Sequence, residues 1–200
     1  WEDHARLSQR LEPWLKQQMS NRRAGLKLGE WRASPGGFSN ITLMSEVLSD
    51  ESPPQPIVLR LAADEASVFP ETDLKRQYRV MHALQGSALP IPRLLGFEED
   101  PEIIGGEFYI MERVTGTVPN ENPQYHVSGW FHDLPGDHQA ACWMAGVDAL
   151  GATASLDWKS RGLDFLQDPS LTPLKAQLAY YSRVLEWAES LSRPYPHLRE

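Results

Sequence analysis

Ile57-Val58-Leu59-Arg60-Leu61 is a short apolar run with one cation inside it, and its length and aliphatic content suit a buried strand. A guanidinium is costly to bury alone, so Arg60 either reaches an anion or carries its charge out to solvent from an edge strand. Upstream, Asp50-Glu51-Ser52-Pro53-Pro54-Gln55-Pro56 is dense in turn formers and predicts a turn. Before that turn, Ile41, Leu43 and Val47 fall mostly on alternate positions, as in a half-buried strand, and Leu28 and Trp31 lead into Ser34-Pro35-Gly36-Gly37. The pattern is strand, glycine-rich turn, strand, turn, strand. The glycines of Pro35-Gly36-Gly37-Phe38-Ser39-Asn40 permit close backbone approach, and their N–H groups could cradle phosphate oxygens. A plain β-hairpin turn needing positive φ satisfies the same residues.

Outward from this core, Leu7, Leu11, Trp14, Leu15 and Met19 recur at helical spacing, with Pro13 expected to kink that helix or begin its second half. Thr72 or Asp73 can cap a helix carrying Leu74, Tyr78, Met81 and Leu84, which Gly86 would terminate. Pro90 and Pro92 bracket the approach to Leu94, Leu95 and Phe97, and Gly105-Gly106 precedes Phe108-Tyr109-Ile110-Met111, a candidate central strand. That strand runs out through Glu112, Arg113, Val114 and Thr115 to Gly116, a polar exit whose backbone could meet a flat heterocycle or merely turn. Residues 116–136 read as an irregular connector carrying Tyr125, Trp130 and Phe131, which could line a cleft or pack together. Two long helices are predicted after it. The first spans about 137–156, with Trp143, Val147, Leu150 and Ala154 on one face. The second spans about 172–191, with Leu174, Leu178, Tyr181, Leu185 and Ala188.

Composition narrows the functional classes. The 200 residues are 41% hydrophobic and 23% charged, which places them among globular chains able to bury a core. With 19 Lys+Arg against 27 Asp+Glu the net charge is -8, the wrong sign for a nucleic-acid partner. No apolar stretch approaches the roughly 20 residues of a membrane helix. The one cysteine, Cys142, cannot form an internal disulfide and predicts a reducing, cytoplasmic setting; it reads as a half-buried thiol rather than a nucleophile. The six histidines lack metal-ligand spacing.

Glycine-rich hairpin, basic residue on the next strand, helix, two strands and polar strand exit follow one another in the order of a protein-kinase-like nucleotide lobe. The detail goes further. Gly36-Gly37-Phe38-Ser39-Asn40, Val58-Leu59-Arg60, Thr72 to Met81, Leu89-Pro90-Ile91-Pro92-Arg93-Leu94-Leu95-Gly96-Phe97, Gly105 to Val114, Gly129-Trp130-Phe131-His132-Asp133-Leu134 and Leu156-Asp157-Trp158 together resemble the aminoglycoside phosphotransferase family. The similarity is to the branch whose kinase domain is attached to some acyl-CoA dehydrogenases, and it covers nearly the whole chain.

This resemblance implies an α+β, protein-kinase-like fold. Residues 1–115 would form an N-terminal nucleotide-binding lobe, an antiparallel sheet plus one helix behind a helical lead-in. Residues 116–200 would form a hinge connector and the first helices of a mostly helical, incomplete C-terminal lobe. It implies ATP and Mg2+ as cofactors and a small-molecule hydroxyl as acceptor. Carried over by position, Gly36, Gly37, Phe38, Ser39 and Asn40 would cover the phosphates, and Leu43 and Val58 would sandwich the adenine. Arg60 would touch the α- and β-phosphates through its planar fork. Met111 would flank the base, with the Glu112 carbonyl and Val114 N–H bonding its edge.

Three departures stand out. Gln77 occupies the helix position where the family pattern has a glutamate, turning an ion pair into at best a neutral hydrogen bond. Ala154 stands where a histidine commonly precedes the Leu-Asp-Trp segment. No His-Gly-Asp catalytic loop and no later Asp-containing magnesium segment occurs, and His132-Asp133 comes too early to be that loop. The expectation is therefore an ATP-dependent phosphotransferase whose catalytic and metal-binding residues lie beyond residue 200, these residues alone being inactive. The alternative is a non-catalytic nucleotide-binding or interaction module with a truncated kinase-like fold.

Overall fold

The computed structural model describes residues 3–19, 25–34, 40–50, 52–62 and 73–194. Gly36, Gly37, Phe38, Ser39 and Thr72, named above, lie outside the described residues.

Helix α1 (His4–Gln18) starts at Asp3, whose carboxylate accepts from the Arg6 N–H at 3.1 Å. It runs unbroken through Pro13. Its apolar stripe of Leu7, Leu11, Trp14 and Leu15 is buried against one face of a six-stranded sheet, and each such side chain stabilises the fold by about 1.5–3 kcal/mol. The strands are β1 (Lys27–Leu28), β2 (Arg32–Ala33), β3 (Asn40–Ser49), β4 (Ser52–Ala62), β5 (Leu94–Glu98) and β6 (Phe108–Glu112), ordered β1-β3-β4-β6-β5 with β2 also on β3. Every described pairing is antiparallel. The predicted first strand is thus two short pieces, β1 and β2.

Strand β4 begins five residues earlier than the apolar run and takes in Pro53, Pro54 and Pro56. These prolines are tolerated because the β6 ladder covers only Ile57–Leu61 of β4, and where the β6 side does reach the stretch Pro56 accepts through its carbonyl from the Arg113 N–H at 3.0 Å, so no proline has to donate there. Helix α2 (Leu74–Leu84) is capped by Asp73, and the one-turn α3 (Pro101–Ile104), capped by Asp100 and closed by Gly105 in the left-handed region, links β5 to β6. The core between α1 and the sheet comprises Leu7, Leu11, Trp14, Leu15, Leu43, Val47, Leu59, Phe108, Ile110 and their neighbours. Trp14 meets Phe108 edge-on at 4.9 Å and donates its indole N–H to Glu98 Oε2 at 2.8 Å.

The second half is helical. Helices α4 (Gly136–Ala154) and α5 (Pro173–Leu191) match the predicted spans to within two residues, and Thr172 caps α5. Their apolar faces are uncovered among the described residues: Trp143, Val147, Leu150, Leu174, Leu178 and Tyr181 are all exposed. Cys142 is exposed as well, not half-buried, because it sits on the open helix α4. Among the described residues no helix is long and apolar enough to cross a membrane.

Candidate functional site

The candidate site is the sheet face opposite α1. Directly paired residues of an antiparallel ladder point to the same side, and side chains alternate along each strand. The registers Thr42↔Arg60↔Tyr109 and Met44↔Val58↔Met111 therefore bring Val58, Arg60 and Met111 to one face, with Asn40, across from Ala62, on the same side. Helix α2 lies over this face. Tyr78 stacks on Phe97 at 5.1 Å and reaches Tyr109 at 6.0 Å, while the Tyr109 hydroxyl points at the Met81 sulfur at 3.9 Å. Gln77 is half-buried on α2 beside Tyr78. Burial pushes the Tyr109 phenol up from its ordinary range, and the nearby Arg60 charge pulls it part of the way back.

Leu43 is not on this face. It pairs with Leu59, one step out of phase with Val58 and Arg60, and is only 1% exposed in the core against α1. The period of two that makes Leu43 a core residue takes it away from any ligand beside Val58. Its strand neighbours Thr42 and Met44 occupy the face it was expected to share.

At the far end of β6, the Glu112 carboxylate accepts from Gln55 Nε2 at 2.7 Å and from Arg93 Nε and Nη2 at 2.9 and 2.6 Å. That side chain is committed to holding β4 and β5 together, so contact with a ligand falls to its backbone. Val114 follows, 69% exposed, past the strand end. Chemically, Val58 and Met111 offer an apolar floor and Arg60 a cation one step along, a combination suited to a flat base bearing phosphates. Among the described residues no group of three or more His, Cys, Asp or Glu side chains could hold a metal ion.

The connector forms its own small cluster. Phe131 is met edge-on by Tyr125 at 5.6 Å and by Trp130 at 5.8 Å, and Trp130 donates to the Val118 carbonyl at 3.1 Å. His132 and Asp133 pair with each other at 3.0 Å, exposed and ahead of α4. Two contributors escaped the sequence reading. Tyr109 was legible as a partner of Arg60 once its position within Phe108–Met111 was read by parity. Arg161, which reaches α2 from far along the chain, left no local signal.

An antiparallel six-stranded sheet with α2 over one face and α1 over the other, followed by a helical half, is the arrangement of a protein-kinase-like fold. The phosphotransferase enzyme family matches residues 31–194, and the chain belongs to that family. Acyl-CoA dehydrogenase family member 11 of Rattus norvegicus is 32% identical over 164 residues, 77% of this chain and 18% of that protein. The Homo sapiens protein of the same name is 30% identical over 167 residues, 78% of this chain and 19% of that protein. Among solved structures, a provisionally assigned aminoglycoside phosphotransferase from Ralstonia eutropha superposes with a TM-score of 0.57 at 26% identity, over 80% of this chain and 42% of that one. The chain therefore spans less than a fifth of the mammalian relatives and under half of the bacterial one.

Proposed function

We propose that this chain supplies the nucleotide-binding lobe and first large-lobe helices of an ATP-dependent phosphotransferase that moves the γ-phosphoryl group to a hydroxyl of a small molecule. The observation that carries the reading is the position of Arg60. It lies on the α2 side of the sheet, one step along β4 from Val58, whose cross-strand partner is Met111. In this reading Val58 and Met111 pack on the adenine, the Glu112 carbonyl and Val114 N–H meet its edge, and Arg60 holds the α- and β-phosphates. Gly36, Gly37, Phe38, Ser39 and Asn40 serve the phosphates, and Gln77 steadies Arg60 as a neutral neighbour. Bound MgATP supplies the activated phosphoryl group. The aspartate that orients the hydroxyl and the magnesium ligands come from chain outside these 200 residues, since neither motif occurs within them. The acidic balance and single cysteine fit a small-molecule acceptor in a reducing, cytoplasmic setting, without nucleic acid or membrane as partner.

The test is titration of the full-length protein with MgATP, followed through tryptophan fluorescence, and then transfer from γ-labelled ATP to a panel of small hydroxyl compounds. Saturable binding with label on an acceptor is the expected outcome. No MgATP response would remove the reading. Gln77 favours a second reading, a nucleotide-binding module without turnover, because a neutral amide replaces the expected ion pair. Saturable binding with no transfer to any acceptor would establish it.

A further inference from the structure

Helix α2 is gripped from two sides. On the sheet side, Tyr78 and Met81 meet Tyr109. On the other side stands a segment from the helical half of the chain. The Arg79 guanidinium lies 3.7 Å from the centroid of the Phe165 ring, a close cation–π stack. The Arg161 guanidinium donates through Nη1 to the carbonyls of Ala83 and Gln85 at 3.3 and 3.5 Å. Arg79 and Ala83 are one turn apart on α2, and Phe165 and Arg161 are four residues apart in the opposite sense. The two contacts therefore fix α2 at points about 6 Å apart along its axis, enough to resist tilting as well as sliding.

The ending of α2 shows why Arg161 matters. A helix leaves its last carbonyls without intrahelical partners. Here the His82 carbonyl accepts from the Gln85 N–H at 3.2 Å and the Leu84 carbonyl from the Ser87 N–H at 3.1 Å. The Ala83 carbonyl between them is served by a residue 78 positions later. A cation there also lies at the negative end of the helix dipole.

Arg161 is itself pre-positioned. Asp157 accepts from the Ser160 N–H at 3.3 Å, Ser160 Oγ donates to the Asp157 carbonyl at 3.0 Å, and the Leu163 N–H closes the turn onto the Trp158 carbonyl at 3.1 Å. Leu163 is 4% exposed, which anchors the far side of that turn.

We propose that Arg161 and Phe165 are positioning residues that lock α2 to the helical half of the protein and so hold Tyr78 against Tyr109, the cross-strand neighbour of Arg60, with Gln77 beside it on the same helix. The proposal rests on the nucleotide reading above. Arg161 touches no ligand in it and acts through α2 alone.

The experiment uses the full-length protein with Arg161→Ala, Arg161→Lys and Phe165→Leu, reading MgATP affinity by direct titration and hydrogen exchange of the α2 amides. Arg161→Ala should weaken MgATP binding by about three- to tenfold, in line with loss of a partly buried cation at a helix end, and speed exchange over residues 77–84. Arg161→Lys keeps a donor and a charge and should recover most of both effects. Phe165→Leu keeps an apolar side chain but removes the ring under Arg79 and should give an intermediate loss, so the proposal stays testable if Arg161→Ala folds poorly. Unchanged affinity and unchanged exchange in Arg161→Ala and Phe165→Leu would overturn the clamp while leaving the nucleotide reading intact. A wild-type protein that binds no MgATP would instead remove the nucleotide reading, and with it the role assigned to the clamp.

Discussion

Arg60 and Tyr109 stand directly across the β4–β6 ladder from each other, so guanidinium and phenol share the α2 side of the sheet. Each modifies the other. Tyr109 is 2% exposed and walls off one side of Arg60, and the cation tempers the rise that burial imposes on the phenol. An arginine held beside a buried ring and next to an apolar floor is aimed rather than freely solvated, which suits the role proposed for it above.

Arg60→Ala should therefore raise the MgATP Kd of the full-length protein by about tenfold or more, since hydrogen bonds to charged groups are worth roughly 1.5–3 kcal/mol. Arg60→Lys keeps the charge without the planar fork and should fall between. Tyr109→Phe retains the wall and should leave affinity within about twofold, because among the described residues the hydroxyl makes only the long contact to sulfur. Fluorescence titration measures all three. An Arg60→Ala protein binding MgATP as tightly as wild type would take Arg60 out of the site.

Parity along the strands separates Leu43 from Val58. Leu43→Ala removes a fully buried core side chain on the α1 face and should cost about 2–5 kcal/mol of stability, with the MgATP Kd of the folded fraction unchanged. Val58→Ala should do the reverse: a smaller stability loss with clearly weaker nucleotide binding, as the apolar floor beside Met111 opens. Thermal melts paired with titrations decide this. Loss of affinity in Leu43→Ala equal to that in Val58→Ala would mean the face assignment does not govern binding.

Much of this arrangement was written locally in the sequence. The 3.6-residue spacing of Leu7, Leu11, Trp14 and Leu15, the choice of Thr72 or Asp73 as cap for α2, and the alternation of Ile41, Leu43 and Val47 are properties of neighbours along the chain, and each specified its element. What failed to show was pairing across the chain. Pro53-Pro54-Gln55-Pro56 reads as a turn because a proline cannot donate to a ladder, and it is usable as a strand because the β6 ladder stops at Ile57 and Pro56 serves that side only as an acceptor. The resemblance put Leu43 beside the adenine with Val58, whereas register with Leu59 puts it in the core against α1. The grip of Arg161 on Ala83 joins positions that no periodicity connects. The apolar faces of α4 and α5 were legible as faces, and among the described residues they stand exposed.

Gly96 marks where β5 passes under α1. A Cβ at this position would lie 2.8 Å from Trp14 Cη2 and 3.0 Å from Gln18 Cγ, closer than side chains pack. Gly96→Ala should destabilise the lobe by about 1–3 kcal/mol, the range for forced overpacking. Combining it with Trp14→Phe, which withdraws the offending ring atoms, should cost less than the sum of the two single changes, since residues in contact are not additive. Chemical denaturation of the four proteins gives the coupling directly. Strict additivity would show that α1 can shift to admit a methyl group.

Glu98 ties the same region together through charge. One carboxylate oxygen accepts the Trp14 indole N–H, and the other accepts the backbone N–H groups of Glu99 and Asp100 at 2.9 and 3.0 Å. These donors favour the ionised form, the Asp100 N–H most of all, and hold its pKa below the usual glutamate range against the opposing effect of burial. Because the folded value is lowered, the associated stability is fully present above the ordinary glutamate pKa and is lost as pH falls through the folded value. Glu98→Gln keeps the shape but offers one carbonyl oxygen where two carboxylate oxygens served three donors. It should cost about 1 kcal/mol at neutral pH, modest because the group is only partly buried and remains screened by solvent. Below the folded pKa of Glu98 the wild-type carboxyl is protonated too, so the gap between the two proteins should narrow as the solution is acidified. Denaturation midpoints measured from neutral pH down into the acid range test the sign: a gap that widens on acidification would contradict a stabilising carboxylate at Glu98.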